Sequence, residues 1–294
     1  MSAVSGEFDF IAGLRALATN PAARGLNDDV AALEIGGETL VLTQDTLVDG
    51  VHVLDGSDPT DIAWKLVAAN LSDLAAKGAQ PIGMLLSHAM GFDDARFLSG
   101  LKEAIEAFGA PLLGGDTVAM PEGSARSWTL TAIGRATHLP VPGRDGASAG
   151  DGIYITGQLG AALIGFEALR DGSDEDSTAY RRPQPRLAEG QALAPLVSAM
   201  MDISDGLLLD AWRMGSASGV TMAIDSNSIP IAIPEARRDE ALRWGDDYEL
   251  LFTAPDGTSF PCKVHRIGTV ERGAHALALD GEAVHSPDGL GYQH

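Results

Sequence analysis

The chain has 294 residues, a formal net charge of −21 and hydrophobic residues at 45% of its positions. This length and apolar content predict two domains with sizeable cores and exclude a wholly disordered chain. An acidic surface repels nucleic-acid phosphates and anionic membranes, so we expect neither nucleic acid nor membrane as a partner.

The cysteine content and the N-terminal segment bear on location. A single cysteine, Cys262, excludes an intrachain disulfide and a cysteine-rich metal site, and it suits a reducing cytoplasm. The segment MSAVSGEFDF lacks a basic region followed by an apolar core, so we expect no signal peptide. No uninterrupted apolar run reaches the roughly 20 residues of a membrane span. We therefore expect a cytoplasmic protein.

The first elements alternate between helix and strand. FDFIAGLRALA predicts a short helix, LNDDVAAL a turn entering a strand, and TLVLTQDTLVDGVHV extended structure. Asp58-Pro59-Thr60 is a helix-start signal, and the spacing of apolar residues over 60–77 predicts a helix with one buried stripe. Asn70, Asp73 and Lys77 are three and four residues apart, so they share a face of this helix.

A proline- and glycine-rich segment divides the rest of the chain. Before it we predict a strand in PIGMLLSHAM, a helix in DDARFLSGLKEAIEAFG, a short buried strand in APLLGGDT and a strand in ARSWTLTAIGRAT. Residues 138–151 (HLPVPGRDGASAGD) have the composition of an interdomain connection. The predicted domains are therefore 1–137 and 138–294.

The second half repeats the alternation. Its predicted strands are GIYITG, MMDIS, VTMAID and YELLFTA, and its predicted helices are QLGAALIGFEALR, RLAEGQALAPLV and DGLLLDAWRMGSASG. Strands alternating with helices in both halves predict an α/β or α+β fold.

Aspartates recur at the ends of apolar segments, usually beside glycine, serine or threonine. They are Asp28, Asp29, Asp45, Asp73, Asp116, Asp202, Asp205, Asp246 and Asp247. Each has an ordinary alternative: a turn for most, a helix cap for Asp205, and pairing with Lys77 for Asp73. Similar placement in both halves instead favours carboxylates gathered around Mg²⁺, which binds oxygen ligands and substrate phosphates. That chemistry is typical of phosphoryl transfer.

Familiar phosphate-binding loops are missing from the sequence. There is no G-x-x-x-x-G-K-[ST], and GQLGAALIG lacks the G-x-G-x-x-G spacing. Two like unit charges about 4 Å apart repel by roughly 4 kcal/mol at an effective dielectric near 20, so a nucleotide beside several aspartates needs compensation. We therefore expect several metal ions to bridge the nucleotide to the carboxylates.

His52 and Arg144 are two further candidates for chemistry. His52 lies on an extended segment, where a packed role is the alternative to a functional one. Arg144, flanked by glycine in PGRDG, suits a phosphate clamp, with a solvated loop arginine as the alternative. Cys262 has no neighbouring His-Asp pattern, so we do not expect it to be a covalent nucleophile.

The ordered motifs resemble a known family. GEFDFI, NDDVAAL, TQDTLVDGVHV, KLVAANLSDLAAKGAQP, LLGGDT, GRDGASAGDGIYITGQLG, MMDISDGLLLDAW and GDDYELLFT follow one another over residues 6–292. Together they closely resemble the thiamine-monophosphate kinase family. That family is related to aminoimidazole ribonucleotide synthetase, selenophosphate synthetase and a hydrogenase maturation protein.

The resemblance implies a fold and a reaction. It implies an N-terminal α/β domain whose strands pair into a β-barrel across a homodimer, and a C-terminal α/β domain packed against it. It also implies direct, ATP-dependent phosphorylation of thiamine monophosphate, assisted by several Mg²⁺ ions, without a phosphoenzyme. The acceptor is an anionic phosphate oxygen, so we expect no proton-abstracting residue.

The resemblance also implies roles for individual residues. Metal ligands are expected at Asp28, Thr43, Gln44, Asp45, Asp73, Asp116, Asp202 and Asp205. ATP contacts are expected at Gly115, Asp116, Arg144 and Ser204, and contacts with the thiamine substrate at His52, Asp246 and Tyr292. The chain departs from the family pattern where NDD replaces GDD, Gln44 replaces a common Thr, and Asp246 replaces the usual Glu.

The sequence leaves other functions open. A selenophosphate synthetase would need a reactive residue near the N-terminus, and the maturation protein a C-terminal cysteine, whereas the cysteine here is Cys262. An aminoimidazole ribonucleotide synthetase is possible on metal chemistry, although DGVH and GDDYELLF favour the thiamine reading. From other classes, the alternatives are a non-catalytic acidic protein that binds nucleotide or divalent cations, and a metal-dependent phosphatase.

Overall fold

Two β-sheets and the helices packed against them make up the computed structural model, which describes residues 7–91, 93–121 and 123–293. The helices are α1 (Glu7–Arg15), α2 (Pro59–Ala76), α3 (Asp94–Phe108), α4 (Ala161–Asp171), α5 (Thr178–Arg181), α6 (Leu187–Leu193), α7 (Leu207–Ser218) and α8 (Arg238–Arg243). The strands of the first sheet are β1 (Ala31–Ile35), β2 (Glu38–Val48), β3 (Ala79–Met90), β4 (Leu112–Ala119) and β5 (Ser127–Ala136). Those of the second are β6 (Gly152–Ile155), β7 (Ala199–Asp202), β8 (Thr221–Ile224), β9 (Leu250–Ala254), β10 (His265–Glu271), β11 (Leu277–Leu279) and β12 (Glu282–Val284).

The first sheet has the order β1-β2-β5-β3-β4. Its neighbours are antiparallel except β3 and β4, which are parallel and are joined through α3. A parallel pair needs such a crossover, because a tight hairpin joins only antiparallel strands. The crossover leaves β4 at the edge of the sheet.

The second sheet has the order β12-β11-β8-β10-β6-β9-β7, antiparallel except where β11 lies beside β8. It has its own apolar core, built from β6, β7, β8 and β9 together with α7. Strand β7 is an edge strand, and its last residue is Asp202. The two sheets and their helices confirm the predicted mixed α/β class.

Helix α2 is the element that both halves share. Asp58 caps its start by accepting the Thr60 N–H at 3.0 Å, and Pro59 suits the first turn, where no N–H is needed. Every residue from Asp61 to Ala76 is buried. The helix packs against β2, β5 and α3 on one side and against β7 and α6 on the other. Its polar side chains are therefore held between the two halves.

The structure corrects three local predictions. The α2 helix is buried all round rather than along one stripe, because the second half covers the face that a single sheet would leave in water. The segment APLLGGDT is predicted as a buried strand, but β4 is exposed along its whole length at the sheet edge. The strand predicted through residue 53 ends at Val48, where a turn with Gly50 at φ +74° interrupts it.

Among the described residues, no helix combines the length and the apolar character that crossing a bilayer requires.

The packing of α6 on α2 leads to a stability prediction. A Cβ on Gly190 of α6 would overlap the carbonyl oxygen of Ala75 in α2. We expect Gly190→Ala to lower the free energy of unfolding by about 1–3 kcal/mol, measured by chemical denaturation, because overpacking forces the two helices apart. Gly13→Ala is the matched control, since a Cβ there meets nothing within 4 Å. Equal stability of the two variants would contradict this account of the α2–α6 contact.

Candidate active site

A cleft of about 870 Å³ lies where α2 and the end of β2 meet the second half. Its walls include the turn after β7, the loop before β9 and the C-terminal segment. Several residues singled out from the sequence line it, namely Gln44, Asp45, His52, Asp73, Asp202, Ser204, Asp205, Asp246 and Tyr292. The remaining candidates, Asp28, Thr43, Gly115, Asp116 and Arg144, lie outside this lining.

Three carboxylates converge beside the cleft, and two of them, Asp73 and Asp202, line it. Asp29, Asp73 and Asp202 each offer an oxygen within 4.8 Å of the others. They come from the loop before β1, the last turn of α2 and the end of β7, so the cluster exists only when both halves pack on α2. Thr43 donates its hydroxyl hydrogen to Asp73, and Ser72 donates to Asp202 at 2.6 Å. These two hydroxyls orient the carboxylates.

The cluster suits a divalent cation. Its donors are all oxygens, which hard cations such as Mg²⁺ prefer. Oδ1 of Asp202 is buried and makes no hydrogen bond within the part of the chain that the structure describes. A buried carboxylate oxygen without a donor is costly unless a cation or a proton compensates it.

The pKa values of the three carboxyl groups are shifted in different directions. Burial, with the charges of Asp45, Asp202 and Asp29, raises the pKa of Asp73 well above its usual range. Burial and the neighbouring Asp29 raise the pKa of Asp202 to about 8. Burial also opposes ionisation of Asp29, but Arg144 and Lys77 outweigh it and hold the pKa of Asp29 below its usual range. One member of the cluster is therefore a permanent anion, and two favour a proton unless a metal ion replaces it.

The buried side chain of Lys77 contacts Asp29 and its neighbour Asp28. The buried ammonium of Lys77 lies 2.6 Å from Asp28 and 3.0 Å from Asp29, and it donates to the Met200 carbonyl at 3.0 Å. Lys77 therefore contacts these two acids rather than following the alternative of pairing with Asp73. Asp28, a predicted metal ligand, is held by Lys77 and Arg24 beside the cluster.

The Arg144 side chain also belongs to this network. It donates to Asp29 and is 17% exposed, so the alternative of a solvated loop arginine is wrong. Burial opposes its charge, but the surrounding aspartates raise its pKa further above the ordinary value. Arg144 is therefore a permanent cation beside the carboxylate cluster.

The other predicted metal ligands occupy separate positions. Asp45 lines the cleft, and its N–H donates to the Asn70 side chain at 3.1 Å, which ties β2 to α2. The side-chain amide oxygen of Gln44 (Oε1) accepts a hydrogen bond from the Thr131 hydroxyl at 2.8 Å. Asp205 is ion-paired with Arg213, and Gly206 occupies the N-cap of α7, so the alternative that Asp205 is that cap is wrong.

Gly115 and Asp116 lie on the exposed edge strand β4, away from the three-carboxylate cluster. Gly115 is required where it stands. Its φ is +153°, and a Cβ would overlap the carbonyl oxygen of Leu86 on β3.

Aromatic side chains line another part of the cleft, which we call its aromatic end. The His52 and Tyr292 rings meet there edge to face, with centroids 6.4 Å apart, and Phe166, Tyr180, Trp244 and Tyr248 also line the cleft. The Val48 N–H donates to His52 Nδ1 at 3.1 Å, which fixes the ring orientation.

Backbone hydrogen bonds hold the substrate-side loops. Asp246 and Tyr248 have φ of +64° and +52°, and their N–H groups donate to Ser204 and Ile203 at 2.8 Å. The Tyr292 N–H donates to the Asp205 carbonyl at 2.9 Å, and a Cβ on Gly291 would overlap that same carbonyl oxygen. The SDG turn after β7 thus anchors both segments.

Several site residues are missing from the predicted metal, ATP and substrate contacts. Asp29 is adjacent to Asp28 but is absent from the predicted metal set, since neighbouring residues give no sign of which one points inward. Lys65, Tyr180 and Tyr248 are also absent from the predicted site. For Lys65 a signal existed, because a lysine amid IAWKLVAA interrupts an apolar face.

Comparison with known proteins places these features in a family. The model of AIR synthase related protein, N-terminal domain, matches residues 27–136, and the corresponding C-terminal domain matches residues 148–276. Thiamine-monophosphate kinase of Escherichia coli (strain K12) is 35% identical, over 92% of this chain and 91% of that protein. The enzyme of Halobacterium salinarum is 33% identical, over 87% and 91%.

Solved structures give the same grouping. The structure of AaThiL complexed with AMPPCP and TMP has a TM-score of 0.88 at 30% identity, covering 98% of this chain and 97% of that one. Thiamine monophosphate kinase from Aquifex aeolicus gives 0.79 at 30% identity, covering 92% and 97%. Hydrogenase Maturation Protein HypE in complex with ATP gives 0.71 at 19% identity, covering 94% and 93%, a likeness of fold alone.

The raised pKa of Asp202 predicts how stability depends on pH. Its carboxyl ordinarily titrates near 3.8 and here near 8, so between about pH 4 and pH 8 the native state binds more protons than the unfolded state. The free energy of unfolding therefore falls as pH rises through this window. We expect the thermal midpoint of protein in EDTA to fall from pH 5 to pH 8, and to fall less steeply in Asp202→Asn.

Mg²⁺ provides a second measurement of the same effect. A cation that binds only the native state stabilises it, and it does so more strongly where the carboxylates are ionised. Added Mg²⁺ should therefore raise the wild-type midpoint more at pH 8 than at pH 5. Parallel pH slopes for wild type and Asp202→Asn in EDTA would contradict the buried-carboxylate account.

Proposed function

Because the chain belongs to the thiamine-monophosphate kinase family of AIR synthase related proteins, we propose that it transfers the γ-phosphoryl group of ATP directly to thiamine monophosphate, giving thiamine diphosphate. The observation that carries the proposal is the lining of the cleft. Asp73 and Asp202 of the three-carboxylate cluster line it together with several aromatic side chains. A substrate that joins a ring system to a phosphate suits such a lining.

The clustered carboxylates would hold the metal ions that reduce repulsion between the two anionic substrates. ATP and the acceptor phosphate are both anions, and their mutual repulsion opposes the aligned approach that the reaction needs. Bound Mg²⁺ would supply positive charge to both phosphates and to the transferring group. The chain's part is to hold the carboxylates in place, through Thr43, Ser72 and the cations Lys77 and Arg144.

The candidate residues divide into three groups by role. Mg²⁺ would be held by oxygens of Asp28, Thr43, Gln44, Asp45, Asp73, Asp116, Asp202 and Asp205, and Asp29 joins this set because it lies in the cluster. ATP would contact Gly115, Asp116, Arg144 and Ser204. The thiamine moiety would contact His52, Asp246 and Tyr292, which line the aromatic end.

The reaction needs no general base. The nucleophile is a phosphate oxygen that is already anionic, so removing a proton would gain little. The site residues bind, align and screen charge, and the rate enhancement comes from positioning and electrostatic stabilisation.

A single assay tests the proposal. Purified protein with ATP, Mg²⁺ and thiamine monophosphate should release ADP and thiamine diphosphate in equal amounts. Absence of thiamine diphosphate would refute the proposal. Phosphate released from thiamine monophosphate without ATP would indicate a phosphatase. Nucleotide or Mg²⁺ binding without ADP release would indicate a binding protein.

The variant Asp73→Asn tests the carboxylate cluster within the same assay. We expect turnover to fall at least 100-fold while the thermal midpoint in EDTA stays the same or rises, because the amide is neutral, as is the protonated carboxyl that burial favours, but it cannot replace an anionic metal ligand. Asp174→Asn makes the same change in an exposed loop and should leave turnover unchanged. Near-normal turnover in Asp73→Asn would remove this residue from the metal set.

We further propose that two copies of the chain pair through β4. Every residue of this edge strand is exposed, including Leu112 at 43% and Leu113 at 55%. An uncovered apolar edge strand is a liability for aggregation unless a partner covers it. Pairing there is consistent with the expected barrel across a homodimer, and it would place Gly115 and Asp116 at the interface.

Light scattering tests the proposed dimer. We expect a wild-type mass of twice the chain mass, and dissociation in Leu113→Asp, because a carboxylate would be buried in the interface. Leu98→Asp on α3 is the control, since Leu98 is also exposed, at 61%, but lies away from β4. A monomeric wild-type protein, or equal effects of both variants, would contradict the proposal.

The domain boundary at 137/138 and the cytoplasmic location both stay predictions. The N-terminal family model ends at residue 136, before the proposed connection 138–151, and the C-terminal model begins at residue 148, within it.

A further inference from the structure

Lys65, one of the buried side chains of α2, lies behind the aromatic end of the cleft. Lys65 is 1% exposed. A lysine is almost never fully buried unless its charge is paired. Lys65 lines a neighbouring pocket of about 750 Å³ but not this cleft, so its effect on a ligand in the cleft passes through the groups it touches.

The ammonium of Lys65 touches three residues of the cleft wall. Its Nζ donates to Asp246 Oδ2 at 2.7 Å and to the His52 carbonyl at 3.2 Å. The same atom lies 3.9 Å from the centroid of the Tyr180 ring, a cation–π contact. One rigid helix position thus joins the segment after β2, the α5 helix and the loop before β9.

Asp246 depends on such support. It lies on a loop in the left-handed region, at φ +64°, where a residue with a side chain is strained. Its other carboxylate oxygen accepts from the Tyr248 hydroxyl at 3.0 Å. Removing the lysine would leave a carboxylate without its cation and would free the loop from α2.

The pairing also decides what Asp246 can recognise. A carboxylate already matched by a buried ammonium has little net attraction for a further cation, but its oxygens still accept hydrogen bonds. It therefore favours an N–H donor on a heteroaromatic ring, such as the amino group of an aminopyrimidine. Lys65 precedes Asp73 by eight residues, about 12 Å along the helix, so α2 connects the ring end to the carboxylate end.

We propose that Lys65 is a positioning residue that holds Asp246, His52 and Tyr180 in the geometry that binds the aminopyrimidine end of thiamine monophosphate. This inference rests on the proposed function. It concerns substrate affinity rather than the phosphoryl transfer step, because Lys65 touches none of the three clustered carboxylates.

The first test compares KM for the two substrates. Lys65→Met keeps the length of the side chain and removes its charge. We expect KM for thiamine monophosphate to rise at least tenfold, KM for ATP to change less than twofold, and kcat to change less than KM for thiamine monophosphate. Lys102→Met is the control, since this α3 lysine is 76% exposed and should leave both constants unchanged.

The second test is a double-mutant cycle with Asp246→Asn. If Lys65 acts through Asp246, adding Lys65→Met to Asp246→Asn should raise KM for thiamine monophosphate little beyond that of Asp246→Asn alone. The double variant carries no unpaired buried charge, so the cycle stays informative if Lys65→Met alone folds poorly.

The outcomes separate the two proposals. A wild-type protein that makes no thiamine diphosphate overturns the proposed function and this inference together. With an active wild type, three results each overturn the inference alone: unchanged KM values in folded Lys65→Met, equal rises in KM for both substrates, or additive effects in the cycle.

Discussion

Burial of like charges around one helix is the constraint on which this structure depends. Asp73 lies in the last turn of α2, at a position where both halves of the protein exclude water. Bringing Asp29 and Asp202 to the same point concentrates repulsion that the fold must offset. Apolar packing of α2 on both sides provides the stabilisation, since Leu66, Val67, Leu71 and Leu74 are each fully buried.

The offsetting charges are arranged asymmetrically. Lys77 and Arg144 contact Asp29, while Asp73 and Asp202 accept hydrogen bonds from hydroxyl groups. The result is a site with one compensated anion and two carboxyl groups whose ionisation depends on what binds beside them. An exchangeable cation suits such a site better than a permanent ion pair does, because the two uncompensated groups stay available as ligands.

The same helix organises the recognition end. Lys65 in α2 balances Asp246 much as Lys77, the residue that follows α2, balances Asp29. Both lysines are almost fully inaccessible, and each is paired with a carboxylate from a loop outside the helix. The loops of the two halves are thereby tied to one rigid element, which sets the distance between the ring-binding and phosphate-binding ends.

Much of the secondary structure is readable from the sequence. The period of apolar residues predicts α2 to within a residue at each end, because a proline start signal and a glycine stop signal flank it. The strands β10, β11 and β12 and the helix α8 are not predicted. They are short or interrupted by glycine and charged residues, and the sheet neighbours rather than local patterns stabilise them.

The sequence by itself determined the family, the fold class and the aspartates from which the site is drawn, because ordered motifs and the period of apolar residues are local properties of the chain. The tertiary structure decided that Asp29 rather than Asp28 joins the three-carboxylate cluster. It also decided that Lys77 contacts Asp28 and Asp29 instead of Asp73, and that β4 is an exposed edge. These outcomes depend on which distant segments meet α2 and on which strand lies last in the sheet, and no local pattern of residues carries that information.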